Sequence, residues 1–127
     1  MITEDYVSFD TAKLLKEKGF NEPCLKEYYI SSGELSSVSI EAKYNTIYNR
    51  VSAPTLQMAK KWLKEVHNIV AEPFMREDTK YVWYVHRIEE IFNKKHLIFC
   101  WGSKNVKYEQ YEEACEAAIK YCLENLI

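Results

Sequence analysis

SAPTLQMAKKWLKEVHNI, residues 52–69, is the stretch from which the rest of the chain can be read. At ~100° per residue, Leu56, Met58, Ala59, Trp62, Leu63 and Val66 fall on one half of a helical wheel. Gln57, Lys60, Lys61, Lys64, Glu65 and His67 fall on the other. A helix so divided is stable only when its dry face is buried against other elements. Pro54 suits the first turn, where its missing N–H removes no hydrogen bond. Ser52 or Thr55 can cap the free N–H groups, and Pro54 disfavours helical geometry at Ala53. Asn68 is a left-handed stop, after which Ile69 and Val70 begin a strand.

Towards the N-terminus, residues 1–7 read as frayed, and Ser8 is the candidate cap of a short helix, FDTAKLLKEK. Gly19 can take the left-handed position after it, and Phe20 can then fold back onto Leu15. CLKEYYI (residues 24–30) reads as a strand and residues 31–34, SSGE, as a turn. Residues 36–44 alternate strictly, with Val38, Ile40, Ala42 and Tyr44 on one side, so the two strands make a hairpin. Residues 45–51 read as a linker.

Towards the C-terminus, residues 69–75 read as a strand that Pro73 demotes to an edge or a bulge. KYVWYVHRI (80–88) has apolar or aromatic residues on both faces and reads as a central strand. Residues 89–95 are polar and read as a helical turn. HLIFCW (96–101) is a further strand, ending at Gly102. A last helix runs from residue 109 or 110 to 126, with Tyr111, Ala114, Cys115, Ala118, Ile119, Cys122 and Leu126 on one face. Glu112, Glu113 and Glu116 favour the positive end of its dipole. The expected fold is a single α+β domain over residues 1–127. It has a largely antiparallel sheet of four to five strands packed with two or three helices.

Length and composition agree. The chain has 127 residues, 47% of them apolar, which is enough for a real core and too apolar for disorder. The net charge of −2 does not suit a general polyanion binder. Residues 51–107 hold ten Lys or Arg and six Asp or Glu, a balance of +4, whereas residues 108–127 balance at −4. These read as complementary solvated faces. The first ten residues are acidic and carry no signal-peptide core, and no apolar run approaches the ~18 residues of a membrane span. Cys24, Cys100, Cys115 and Cys122 form no CxxC pair. Cys115 and Cys122 lie seven apart on one helix, too far for a disulfide. Free thiols in a reducing cytoplasm are expected.

No motif carries chemistry. His67, His86 and His96 lack a second ligand at helical or hairpin spacing, so neither a catalytic nor a metal site is assigned. Spacing allows a Cys100 pair with His96 or His86, and nothing supports it. Gly19, Gly33 and Gly102 are isolated, no phosphate loop exists, and no cofactor is implied. Lys60, Lys61 and Lys64 are the residues that could touch nucleic-acid phosphates. Tyr28, Tyr29, Tyr44, Tyr48, Tyr81, Trp83 and Tyr84 fall on or near strands. Aromatics favour sheets in any case, and exposed ones could anchor a partner or stack on bases.

Three blocks carry a resemblance: TAKLLKEKGFN (11–21), the 52–69 stretch, and YEEACEAAIKYCLENLI (111–127). In order and spacing they resemble small uncharacterised proteins of Bacteroides-type gut bacteria and their phages and prophages. The APT and KWLKEVHNI pieces of the middle block are the most specific. Relatives have Ser before the YEEA segment where this chain has Gln110, and residues 87–107 match least. The family has no established activity, so the resemblance supplies no site residues. It favours a non-enzymatic accessory or protein-interaction domain linked to phage or mobile elements; the strand aromatics would then serve a homodimer or a protein partner, and the lack of a long apolar run argues against a membrane. The alternatives are a weak nucleic-acid binder and an enzyme whose site is invisible in sequence.

Overall fold

The computed structural model describes residues 2–127, except the side chains of Ser39, Phe99 and Cys100. The chain is α+β, and the described residues form three α-helices and two antiparallel sheets of three strands. Its contacts cluster into two compact units, Met1–Ala59 and Lys60–Ile127. No helix among the described residues is long and apolar enough to cross a membrane.

In the first unit, helix α1 (Phe9–Glu17) starts where Ser8 Oγ accepts a hydrogen bond from Thr11 N at 3.3 Å. It ends as its sequence predicts. Gly19 is left-handed at φ +96°, Gly19 N donates to Lys16 O, and Phe20 N donates to Leu15 O at 2.9 Å. Phe20 and Leu15 are both buried, completing this helix stop. Strands β1 (Cys24–Tyr29) and β2 (Leu35–Ala42) form the expected hairpin. The 45–51 segment is more than a linker. A single 3-10 turn over Tyr44–Thr46 leads into strand β3 (Arg50–Ser52), which pairs with β1 and gives the order β2-β1-β3. Residues 5–7 are not loose either. Val7 is buried, Val7 N donates to Pro54 O and Leu56 N to Asp5 O, and Tyr28 Oη donates to Val7 O at 2.7 Å.

Helix α2 (Leu56–His67) is capped by Thr55, whose Oγ1 accepts from Met58 N at 3.1 Å. Leu56, Ala59, Trp62 and Leu63 are buried as the wheel requires, but Val66 is exposed. Asn68 is left-handed, as predicted for the stop.

The second unit continues with β4 (Ile69–Met75), β5 (Tyr81–Ile91), β6 (Lys94–Gly102) and α3 (Tyr111–Asn125). The order is β4-β5-β6, so Pro73 lies on an edge strand and β5 is central. The polar 89–95 segment, expected as a helical turn, instead completes a hairpin. Ile91 pairs with Lys94 across the two residues Phe92 and Asn93. Both have positive φ, +52° and +63°, the backbone of a two-residue type I′ turn. The two glutamates on one arm and two lysines on the other suit two short paired strands, and the turn has no glycine to announce it. Helix α3 packs on β4 and β5. It covers the face on which Ile69, Ala71, Pro73, Trp83 and Val85 are buried. Gln110 stands at its N-cap without a side-chain hydrogen bond.

Candidate functional site

The second unit holds a cavity of about 450 Å³ lined by Val82, Tyr84, Trp101, Gly102, Ser103, Lys104 and Tyr121. Three elements build it. Tyr84 comes from the central strand, Trp101 and Gly102 from the end of β6, and Tyr121 from the last turns of α3. Between β5 and β6 the register shifts, so that Val85 faces Trp101 while His86 faces Phe99. A bulge of this kind re-aims the side chains that follow it. Gly102 pairs with Tyr84, and a Cβ there would come within 3.1 Å of the tyrosine ring. The glycine lets that ring lie against the backbone of β6.

Ser103 and Lys104 supply the polar groups. Ser103 is buried, and its Oγ accepts from Trp83 N at 3.1 Å while its own N–H donates to Trp83 O at 2.9 Å. The hydroxyl proton therefore remains to donate. Val106 N donates to Ser103 O, closing a tight turn in which Lys104 is left-handed at φ +58°. A lysine there costs energy that Gly or Asn would not. Trp83 packs its ring against Tyr121 at 5.0 Å between centroids, and Trp101 lies 6.2 Å from Tyr121. The buried Nε1 of Trp83 has no acceptor among the described residues.

A second feature lies on the same sheet. Paired residues share a face, so Phe74, Val82, Tyr84, Ile88 and Leu97 lie together on the side opposite α3. Phe74, Tyr84 and Leu97 are 48%, 37% and 59% exposed. The Phe74 and Tyr84 rings meet edge-on at 5.4 Å. Beyond them, at the tip of the β5–β6 hairpin, Phe92 is 95% exposed.

The lysines singled out from the sequence divide. Lys60 has only 12% of its side chain exposed and is bound to Glu72 Oε2 at 3.0 Å and to Tyr111 Oη at 3.1 Å. Burial would lower its pKa, but the bonds to Tyr111 and Glu72 outweigh that and raise it. Lys61 is exposed, 3.9 Å from Glu65, and Lys64 is exposed in the next turn. The three do not converge on a common ligand position, because Lys60 is turned inward.

Of the seven strand aromatics, Tyr28, Tyr44 and Trp83 are buried, Tyr29 and Tyr81 are half-buried, and Tyr48 and Tyr84 are exposed. Burial pushes the Cys24 and Cys115 thiols up to about 11 and Cys122 up to about 12, so none is a nucleophile at neutral pH. The Cys100 side chain, with its candidate pairing to His96 or His86, lies outside the described residues. His67 packs edge-on against Trp62 at 4.7 Å, and burial lowers its pKa. Among the described residues no cluster of His, Cys, Asp or Glu could hold a metal ion.

Sequence reasoning missed Phe92, Ser103 and Lys104. The available signal was a hairpin without its glycine: a polar segment flanked by strands and holding a bulky residue at its centre. Comparison with protein families, curated proteins and solved structures finds no match to this chain.

Proposed function

We propose that the protein is a non-enzymatic interaction domain, an accessory protein of a phage or mobile element as its resemblance implies, acting in a reducing cytoplasm. Its docking element is the β5–β6 hairpin with the open sheet face behind it, and its occupant is a second copy of the chain. Phe92 is the observation that carries this reading. A bulky aromatic is held almost fully in water in a left-handed backbone position that Asn, Asp or Gly would fill at less cost. Strain at an exposed position supports a functional role, and exposed aromatics are the residues that anchor protein interfaces.

The charges beside it support self-recognition. Glu89 and Glu90 lie on one strand of the hairpin, opposite His96 and Lys95 on the other. An isologous contact needs both signs on one patch, and this hairpin carries both. The nucleic-acid alternative draws less support, since Lys60 already uses its charge on Glu72.

Sedimentation across a concentration series tests this. The wild type should self-associate, and Phe92→Gly should remain monomeric while gaining about 1 kcal/mol of stability from the relieved backbone. A wild type that stays monomeric at the highest concentrations, or a Phe92→Gly variant that associates equally well, would remove this reading.

A further inference from the structure

We infer that the cavity lined by Trp101, Tyr121, Ser103 and Lys104 is a binding site for a small planar aromatic carboxylate. Its volume of about 450 Å³ lies within the ordinary range of small-molecule sites, roughly 300–1,000 Å³. Such sites combine mostly apolar walls with a few placed polar groups. Here Trp101 and Tyr121 supply an aromatic wall suited to a flat ring, and Tyr84 borders the cavity from the other side of the sheet. Tyr84 is held in place by its contact with the bare backbone of Gly102.

The polar groups select the charge. Ser103 is more than nine-tenths buried, lines the cavity, and has a hydroxyl proton still to donate because its oxygen accepts from Trp83 N. Lys104, the next residue, also lines the cavity and has no carboxylate partner among the described residues. Its left-handed backbone is the second independent signal, since strain of this kind collects at ligand clamps. Among the described residues no acidic side chain lines the cavity. An ammonium and a buried hydroxyl on consecutive residues fit one carboxylate, through charge-assisted hydrogen bonds to its oxygens. The ring of the same molecule then lies against Trp101 and Tyr121. The hairpin tip contributes nothing to its lining, and Tyr84 alone is shared with the open sheet face.

Heteronuclear NMR titration of the full chain with indoleacetate, and with uncharged indole as its control, tests the inference. Indoleacetate should shift the Trp101 indole signal saturably in the submillimolar range. Lys104→Gln should weaken indoleacetate by about tenfold, the loss of one charge-assisted contact, and leave indole unchanged. Lys104→Gly relieves the backbone and folds at least as well, so it should show the same selective loss. Trp101→Leu should weaken both ligands. Phe92→Gly should bind indoleacetate like the wild type even where it no longer self-associates, which separates this site from the docking hairpin. The inference is overturned if neither compound produces a saturable shift at millimolar concentration. It is also overturned if the Lys104 variants weaken indole and indoleacetate alike, or if Trp101→Leu leaves binding intact.

Discussion

Lys60 and Lys61 are adjacent and chemically identical, yet the fold uses them in opposite ways. On the helical wheel Lys60 lies ~40° from Leu56, at the border of the dry face, and Lys61 lies ~140° away in open solvent. A long stem at the border can cover apolar surface while its head finds partners, and Lys60 finds Glu72 and Tyr111. Lys60→Ala should therefore destabilise the protein by about 1–3 kcal/mol, the cost of leaving partly buried polar groups unpaired. Lys61→Ala should stay within about ±0.5 kcal/mol, as a surface change. Urea denaturation that ranks the two equally would mean that the inner ion pair adds nothing. The wheel gives the border position but not its partners, because Glu72 and Tyr111 are distant in sequence. The left-handed residues divide in the same way. Asn49, Asn68 and Asn93 suit that backbone. Thr79, Phe92 and Lys104 suit it less, and of these Phe92 and Lys104 bear on the proposed contacts.

At the scale of elements, amphipathic period and end signals were legible, and what covers each element was not. Helix α1 stops at Gly19 and Phe20, α2 stops at Asn68, and β4 is an edge strand because of Pro73; each reading rests on local stereochemistry. Strand β3 is three residues long and carries no alternation that a sequence could display, so it was read as linker. In α2 the wheel places Leu63 and Val66 on the same dry arc. Leu63 is fully buried and Val66 is 55% exposed, because Val66 lies in the last turn, where the chain is already leaving for β4. Period describes direction around the axis and says nothing about how far along it the cover extends. Leu63→Ala should cost about 2–5 kcal/mol, as large-to-small core changes do. Val66→Ala should be neutral or slightly stabilising, since alanine is the better helix former at an exposed site. A loss at Val66 comparable to that at Leu63, read from denaturation midpoints, would show that the last turn is covered in solution.

For the whole molecule, the sequence specified class more firmly than topology. Alternation and period are local, so they give α+β with antiparallel pairing, but they do not say which hairpins join. The strands divide between two sheets of three, where one sheet of four to five was expected, because β3 supplies β1 with its second neighbour. The cavity was hidden for the same reason: Tyr84, Trp101 and Tyr121 come from three elements and share no motif spacing. Global stability also depends on a residue that the sequence placed on the wet side. His67 lies against Trp62, and burial lowers its pKa from the ordinary 6.5. The unfolded chain then takes up the proton at a higher pH than the fold does. As pH falls through ~6.5 the unfolded state binds more protons, so stability declines with falling pH. The contribution of the neutral ring is complete above ~6.5 and is lost as pH falls through the lower, folded value. Urea midpoints measured from about pH 7 down to about pH 5 should fall for the wild type. In His67→Gln, which cannot titrate, the midpoints should fall less steeply over the same range. Parallel curves for the two proteins would show that His67 protonates as readily in the fold as in the unfolded chain, and that its contact with Trp62 does not depend on its charge.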